Sequence, residues 1–284
     1  MTAEREGLRR IAIVLAGGVG VRAGLGMPKQ LARIAGTPII EHTLAAIDSS
    51  PDIDEIIVMM EPGSLAYAEE LVASGRFPKL RAAFEGGATR NDSTRLALAQ
   101  IPDSEAKVLI HDAVRPFVDH RILGACVAAL DAYGAVDTAI PSADTIVEVD
   151  DDGLIVDVPP RARLRRSQTP QAFRLSVIRA AYAAAALDPG FTATDDCTVV
   201  LRYTPGVPIV VVDGSDANMK ITEPIDVFIA DHLLQLASSE PPGVDPAARE
   251  RAVGGTVLVV FGGSDGIGAA IAEAAERFGA TMLS

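Results

Sequence analysis

The stretch LAGGVGVRAGLGMPKQ, residues 15–30, decides how the fold is read. It follows the apolar run IAIVL (11–15), which reads as a short parallel strand buried on both faces. Gly17, Gly18 and Gly20 let the backbone turn tightly and bring several N–H groups toward one anion. Arg22 and Lys29 add two positive charges, and Pro28 stiffens the chain just before the lysine. A nucleoside triphosphate suits such a loop. A P-loop would need GxxxxGK followed by Ser or Thr, but Pro28 precedes Lys29 and Gln30 follows it. A dinucleotide fingerprint would place its third small residue at Ala23, and that pattern alone is a weak signal. The specific feature is the whole string, AGG-x-G-x-R followed by PKQ; the plain alternative is an ordinary strand–helix turn.

Working outward, strand-like runs recur at Ile11–Leu15, Glu55–Met60, Lys107–His111, Ala135–Ile140 and Pro208–Val212. Helical patterns lie between them. Thr37-Pro38 reads as an N-cap and first-turn proline ahead of Ile40, Leu44 and Ile47, and residues 91–100 and 119–132 show similar spacing. This alternation predicts an α/β fold, a mostly parallel sheet with helices on both faces. Ligands of such sheets sit at the carboxyl ends of the strands, where the Gly17 loop and His111-Asp112 both fall. Thr145–Asp150 and Leu154–Val158 flank Asp151-Asp152-Gly153 and read as a projecting β-hairpin, either a dimerisation arm or a surface flap.

The 284 residues suffice for one large α/β domain plus a fragment, and 49% hydrophobic content provides a sizeable core. A net charge of −13 disfavours nucleic acid and anionic membranes as partners. Aromatic content of 4% without tryptophan disfavours single-strand stacking platforms. Cys126 and Cys197 lack metal-ligand spacing and read as buried thiols. With no apolar signal core and no 18-residue apolar run, the expected location is cytoplasmic. Residues 1–236 read as one domain and 237–253, rich in Pro, Ser, Gly and charge, as a linker. Residues 254–284 then open a new strand, Thr256–Phe261, followed by GGSDGIG and an alanine-rich helix.

Five clusters join the first loop. Gly86 to Ser93 (GGATRNDS) leads into a helix N-terminus, suited to an anion or a base edge, or else a plain capped start. Asp112 in HDAVRP is placed to hold magnesium or water near a triphosphate; the competing readings are a helix N-cap or an ion pair with Arg115. Arg161, Arg163 and Arg165 would share one face of an extended segment, as an acceptor-phosphate site or as a solvated basic edge strand. Thr194-Asp195-Asp196 offers a cap or polar contacts, and Lys220 precedes a capped helix over Thr222–Leu236.

In this order and combination the motifs resemble the cytidylyltransferases that activate polyol or methylerythritol phosphates, over about residues 9–236. The resemblance implies a Rossmann-like nucleotidyltransferase fold with a projecting β-arm, a homodimer formed through the 144–158 hairpin, and CTP used with Mg2+. By the same resemblance Arg22 and Lys29 would act on the α-phosphate. Leu15, Ala16, Gly17, Gly18, Gly87, Ala88, Arg90, Asn91, Ser93, Asp112 and Ala113 would form the nucleotide site, with Asp112 at the metal. Thr145, Arg161, Thr194 and Lys220 would hold the acceptor, with Arg161 and Thr145 reaching across the dimer. Ala88 and Thr89 stand where the family often carries an acidic residue, so a base contact there would come from the backbone.

The loop Leu15-Ala16-Gly17-Gly18, together with HDAVRPF (111–117), AVDT (135–138), DTIVE (144–148) and QTPQ-x-F (168–173), looks closer to the ribitol 5-phosphate branch. The implied reaction is CTP plus D-ribitol 5-phosphate giving CDP-ribitol and pyrophosphate; a methylerythritol 4-phosphate cytidylyltransferase is the alternative. TVLVVFGGSDGIG (256–268) resembles the start of a short-chain dehydrogenase, a domain known fused to the ribitol branch. Only 16 residues follow Gly268, with no Tyr-x-x-x-Lys pair, so this stretch is expected to be a truncated segment without redox activity. Two other classes compete: a nucleotide-binding regulator without catalysis, and an NAD-dependent oxidoreductase built on 256–268.

Overall fold

Along β1 (Arg9–Ala16) the side chains alternate between two cores: Ala12, Val14 and Ala16 join one, Ile11, Ile13 and Leu15 the other. A strand covered on both faces reads as an unbroken apolar run, which is why the stretch before the glycine loop was legible. The computed structural model describes residues 7–18, 27–102, 104–239, 253–260 and 266–283. It divides into two compact units, Met1–His232 and Leu233–Ser284.

After β1 come a short antiparallel pair, β2 (Arg33–Ile34) and β3 (Thr37–Pro38), then α1 (Ile39–Asp48), β4 (Glu55–Met60), α2 (Leu65–Ser74) and β5 (Leu80–Glu85). α3 (Arg90–Ala99), β6 (Ala106–Asp112), α4 (His120–Ala129) and β7 (Ala135–Pro141) continue the alternation. A hairpin of β8 (Glu148–Val149) and β9 (Ile155–Asp157) follows, then β10 (Arg165–Arg174), α5 (Leu175–Ala185), α6 (Asp196–Tyr203), β11 (Ile209–Asp213) and α7 (Pro224–Ser239). Seven strands form one sheet in the order β11-β7-β10-β6-β1-β4-β5. β10 is antiparallel to both neighbours, β6 and β7; the remaining pairings are parallel. α1, α2 and α4 pack on one face through Leu44, Leu71 and Ile122, and α3, α5 and α6 on the other through Leu98, Ile178 and Val200. The expected α/β fold, mostly parallel with helices on both faces, is what the chain adopts.

Three local expectations need correction. Thr37-Pro38 does not cap α1: it pairs with Arg33–Ile34 across a two-residue turn at Ala35 and Gly36, whose φ values are +48° and +77°. Both residues lie in the left-handed region that such hairpin turns require, and the helix begins only at Ile39. Arg161–Arg163 is a single 3-10 turn rather than an extended run, so Arg161, Arg163 and Arg165 do not share a strand face. The strand that follows, β10, lies between β6 and β7, although its exposed end at Arg165 and Arg166 pairs with β7 alone and only residues 171–174 meet β6. The 144–158 hairpin is present but shorter than expected, and closes at Gly153 (φ +80°) with the Asp150 carboxylate accepting from the backbone N–H groups of Asp152 and Leu154.

α7 continues to Ser239, into the expected linker; the next residues, 240–252, lie outside the described ones. In the second unit β12 (Val257–Val259) pairs in parallel with β13 (Thr281–Leu283), with α8 (Gly266–Arg277) between them. Residues 261–265 of the expected glycine turn fall outside the described residues. Val257, Val259, Ile271 and Leu283 remain exposed, so this unit builds little core among its described residues. No helix among the described residues is long and apolar enough to cross a membrane.

Candidate active site

Chain order reverses direction across the sheet at β1, which has β4 on one side and β6 on the other. A crevice opens at the carboxyl ends of strands at such a point. Here it is a cavity of about 410 Å³, walled by Leu15 to Gly18 after β1, by Gly87 to Arg90 and Ser93 at the start of α3, and by Asp112 to Val114 after β6. Lys29, Gln30, Thr194 and Lys220 complete the wall.

Glycine is required in the second loop for a steric reason. A Cβ on Gly87 would lie 2.3 Å from the Asp92 Cβ, inside the capping box that opens α3. In that box the Thr89 hydroxyl accepts from the Asp92 N–H (3.0 Å) while the Asp92 carboxylate accepts from the Thr89 N–H (3.2 Å). Ser93 Oγ accepts from the Gly87 N–H and donates to the Thr89 carbonyl, both at 3.0 Å, so the loop is tied to the helix it precedes. The N-terminus of α3 therefore meets the cavity with its partial positive charge. The Thr89 hydroxyl, N–H and carbonyl are all engaged in this cap.

Charge concentrates on the opposite wall. Asp112 is buried, with Lys220 Nζ at 2.8 Å, Arg90 Nε at 3.5 Å and Arg115 Nε at 3.7 Å from its carboxylate. Burial alone would raise its pKa; Lys220, then Arg90 and Arg115, outweigh burial and hold the carboxyl far below its ordinary range. Arg90 also pairs with the buried Asp196, which accepts from the Tyr182 hydroxyl at 2.7 Å. The ion-pair reading of Asp112 is thus realised, and more widely than with Arg115 alone.

Lys220 is presented by a loop pinned from three sides. Asn218 Nδ2 donates to the Thr169 carbonyl (2.8 Å) and to Gln168 Oε1 (3.2 Å), Gln168 Nε2 donates to the Ser215 carbonyl, and Arg115 Nη1 donates to the Asn218 carbonyl (2.7 Å). Behind the cluster, His111 is fully buried, with Nε2 3.1 Å from the Arg115 carbonyl and Nδ1 3.1 Å from Thr169 Oγ1. A carbonyl only accepts, so the proton sits on Nε2 and Thr169 donates to Nδ1.

Most expected site residues therefore converge: Leu15, Ala16, Gly17, Gly18, Lys29, Gly87, Ala88, Arg90, Ser93, Asp112, Ala113, Thr194 and Lys220 line one cavity. Arg22 lies outside the described residues. Asn91 is turned away from the wall: its Nδ2 donates to the Ala193 carbonyl (2.9 Å) and its Oδ1 accepts from Tyr182, which steadies the segment carrying Thr194. Within this chain Thr145 and Arg161 do not reach the cavity; Thr145 is exposed, and Arg161 donates to the Ala143 carbonyl and lines a separate open depression with Ser142 and Arg165. Gln30 and Val114 line the site without having been expected, and Thr89 lines it as part of the expected loop of residues 86–93. Gln30 had a signal, its place in PKQ: its buried amide donates to the Ala16 carbonyl at 2.7 Å and ties the Lys29 segment to the end of β1. Among the described residues there is no cluster of three or more metal-ligating side chains.

Comparison with known proteins points the same way. The family model described as IspD, 2-C-methyl-D-erythritol 4-phosphate cytidylyltransferase, matches residues 10–236. A 2-C-methyl-D-erythritol 4-phosphate cytidylyltransferase of Thermobifida fusca is 49% identical over 233 residues, covering 80% of this chain and 94% of that protein. The bifunctional ribulose 5-phosphate reductase/CDP-ribitol pyrophosphorylase Bcs1 of Haemophilus influenzae is 43% identical over 280 residues, covering 97% of this chain and 59% of that longer protein. Among solved structures, the 4-diphosphocytidyl-2C-methyl-D-erythritol synthase of Anaerococcus prevotii superposes with a TM-score of 0.71 at 31% identity, covering 80% of this chain and 96% of that one.

Proposed function

The chain belongs to the 2-C-methyl-D-erythritol 4-phosphate cytidylyltransferase family of nucleotidyltransferases, and from that premise we propose that it transfers CMP from CTP to D-ribitol 5-phosphate, giving CDP-ribitol and pyrophosphate. The observation that carries the choice of acceptor is the extent of one likeness. Similarity to the Haemophilus influenzae ribulose 5-phosphate reductase/CDP-ribitol pyrophosphorylase runs over 97% of the chain, whereas the family model ends at residue 236. On this reading residues 254–284 correspond to the start of a dehydrogenase-like segment. A second reading, methylerythritol 4-phosphate as acceptor, is favoured by the higher identity of the Thermobifida fusca relative.

In the proposed reaction an oxygen of the acceptor phosphate attacks the α-phosphorus of CTP, and the bond to the β-phosphate oxygen breaks in line as pyrophosphate leaves. The nucleophile is already ionised near neutrality, so no general base is needed, and positioning with charge stabilisation carries the catalysis. Lys29 and Arg22 meet charge building on the α-phosphate, the α3 N-terminus and glycine loops cradle the nucleotide, and Lys220 holds the acceptor phosphate. Asp112, ionised and lining the cavity, is the side chain that would hold Mg2+. When bound, the ion neutralises phosphate charge. Arg161 and Thr145 serve the acceptor site of a second copy, since their own cavity is out of reach.

Pyrophosphate release is the test, crossing CTP, UTP, ATP and GTP with ribitol 5-phosphate and methylerythritol 4-phosphate. Turnover is expected with CTP and ribitol 5-phosphate; turnover with methylerythritol 4-phosphate alone transfers the assignment to the second reading. Lys29→Ala is expected to lower kcat at least about tenfold, since one such charge is worth roughly 3 kcal/mol in the transition state, without a change in melting. Near-normal turnover in that variant removes Lys29 from the chemistry.

A further inference from the structure

β10 loses its regular pairing where it passes the cavity. It runs from Gln168 to Ala172 while β7 runs only from Thr138 to Val136, and its pairing with β6 stops at Gln171. An irregularity of this kind re-aims the groups it releases, which is why strand bulges gather beside active sites. Here the released groups take partners on the two charged segments of the wall. The Thr169 hydroxyl accepts from the Asp112 N–H (3.0 Å), in place of a ladder carbonyl, and the Thr169 carbonyl accepts from Asn218 Nδ2 (2.8 Å).

Gln168, next to it, grips the strap that carries Lys220. Its Nε2 donates to the Ser215 carbonyl (2.8 Å) and its Oε1 accepts from the Ser215 N–H (3.3 Å), so one side-chain amide pairs with both backbone groups of one residue. Oε1 also accepts from Asn218 Nδ2 (3.2 Å). Glycine precedes Ser215 for a steric reason: a Cβ on Gly214 would lie 2.4 Å from Gln168 Oε1. At the far end of the strap Lys220 Nζ reaches the Asp112 carboxylate at 2.8 Å, and the Ile221 N–H donates to the Val114 carbonyl at 2.9 Å. Two adjacent residues of β10 therefore fix both members of this ion pair, Thr169 through the Asp112 backbone and Gln168 through the strap. Gln168 is buried and is not part of the cavity wall, so it acts on a ligand only through the residues it holds.

We propose that Gln168 is a positioning residue of the acceptor site: with Gly214 leaving room for it, its amide sets the strap so that the Lys220 ammonium stands beside Asp112, where it meets the acceptor phosphate. The inference rests on the nucleotidyl-transfer reading given above, in which Lys220 holds that phosphate. A cation already in place needs less reorganisation when the phosphate arrives. An amide that served packing alone would lower the melting temperature and leave the kinetics of the folded protein unchanged.

The test uses the full chain, with CTP and whichever of ribitol 5-phosphate and methylerythritol 4-phosphate is turned over. Gln168→Ala removes the amide. Gly214→Ala keeps it but drives a methyl into it, and serves where the first variant folds poorly. Each is expected to raise KM for the polyol phosphate at least about tenfold, with a smaller change in kcat and unchanged CTP affinity by calorimetry. In a Lys220→Ala background either change is expected to add little, because both act through one ammonium. Wild-type KM in both variants beside an impaired Lys220→Ala, losses that multiply independently of Lys220→Ala, or CTP affinity that weakens in step with KM each overturn the proposal. Wild-type KM in Lys220→Ala overturns instead the reading of Lys220 as the acceptor-phosphate group, and this inference with it. Hydrogen exchange needs no acceptor: the backbone amides of 214–220 are expected to exchange faster in Gln168→Ala than in the wild type, and unchanged exchange there also overturns the proposal.

Discussion

Alanine at Gly87 and alanine at Gly18 are chemically the same change with opposite expected outcomes. A methyl on Gly87 would sit 2.3 Å from the Asp92 Cβ and 2.9 Å from its carbonyl carbon, so the first turn of α3 must move. Among the described residues, a methyl on Gly18 would meet only the Lys29 Cε, at 3.7 Å, an ordinary contact with a flexible stem. Gly87→Ala is therefore expected to cost about 1–2 kcal/mol, the scale of a lost helix cap, and to weaken CTP binding. Gly18→Ala should melt like the wild type; calorimetric melting of both variants checks the contrast. Neither difference is legible in the sequence, where both positions are simply glycines of a GG pair. Cysteine chemistry, by contrast, follows from apolar surroundings that are visible in sequence. Burial pushes the Cys126 thiol up to about 11 and raises Cys197 well above its ordinary value. Neither thiol is expected to react with a disulfide reagent at pH 8 until denaturant is added, when both should titrate.

At the scale of elements, the strands that announced themselves were those covered by apolar side chains on both faces, such as β1, β4 and β6. β10 did not, because its sequence RRSQTPQAFR buries polar groups instead: Gln168, Thr169 and Gln171 are buried and paired. Gln168 holds the 214–218 loop, Thr169 holds His111 and Asn218, and Gln171 bonds Asp137 and the start of α6. No hydrophobic periodicity can reveal such a strand; its satisfaction depends on partners far away in the chain. The start of α1 was misplaced for a related reason, since the left-handed turn at Ala35 is stabilised by Asp231, 196 residues later. The β6–β10 contact has a consequence for stability. Burial, opposed by the Arg115 carbonyl bond and the Asp112 charge, pushes the His111 pKa down to about 4 from the ordinary 6.5. Above pH 6.5 the imidazole is neutral in both folded and unfolded chains, and its full contribution is present. Between pH 6.5 and 4 the unfolded chain takes up a proton that the folded one refuses, so stability falls by up to about 3 kcal/mol. Urea midpoints measured at pH 7 and pH 4.5 should drop more for the wild type than for His111→Gln, which cannot titrate. Equal drops would mean that His111 is not the group responsible.

For the molecule as a whole, sequence reasoning assembled most of the cavity because its residues lie at the ends of legible strands, whereas the expectation that Arg161 and Thr145 reach across a dimer came from the family resemblance alone. Arg161 and Thr145 were grouped with Lys220, yet in one chain they stand at the base of the 144–158 arm, away from the cavity that Lys220 lines. The arm itself exposes Ile146, Val147, Val149, Leu154, Ile155, Val156 and Val158, with Leu154 and Ile155 more than 60% exposed. Contiguous apolar residues on a two-stranded hairpin have no core of their own to join, and such patches mark surfaces that meet a partner. A second copy of the chain fits both observations at once. In the proposed twofold dimer the same arm would be buried twice, and each arm would deliver its arginine to the other subunit's site. Ile155→Asp combined with Val156→Asp alters only exposed positions and should leave folding of the sheet intact. The double variant is expected to elute as a monomer in light-scattering chromatography and to raise KM for the polyol phosphate at least about tenfold, the scale of a lost charge-assisted phosphate contact, while CTP binding is retained, because the nucleotide wall is built within one chain. A monomer with wild-type KM would separate the arm from catalysis and return Arg161 to the solvent.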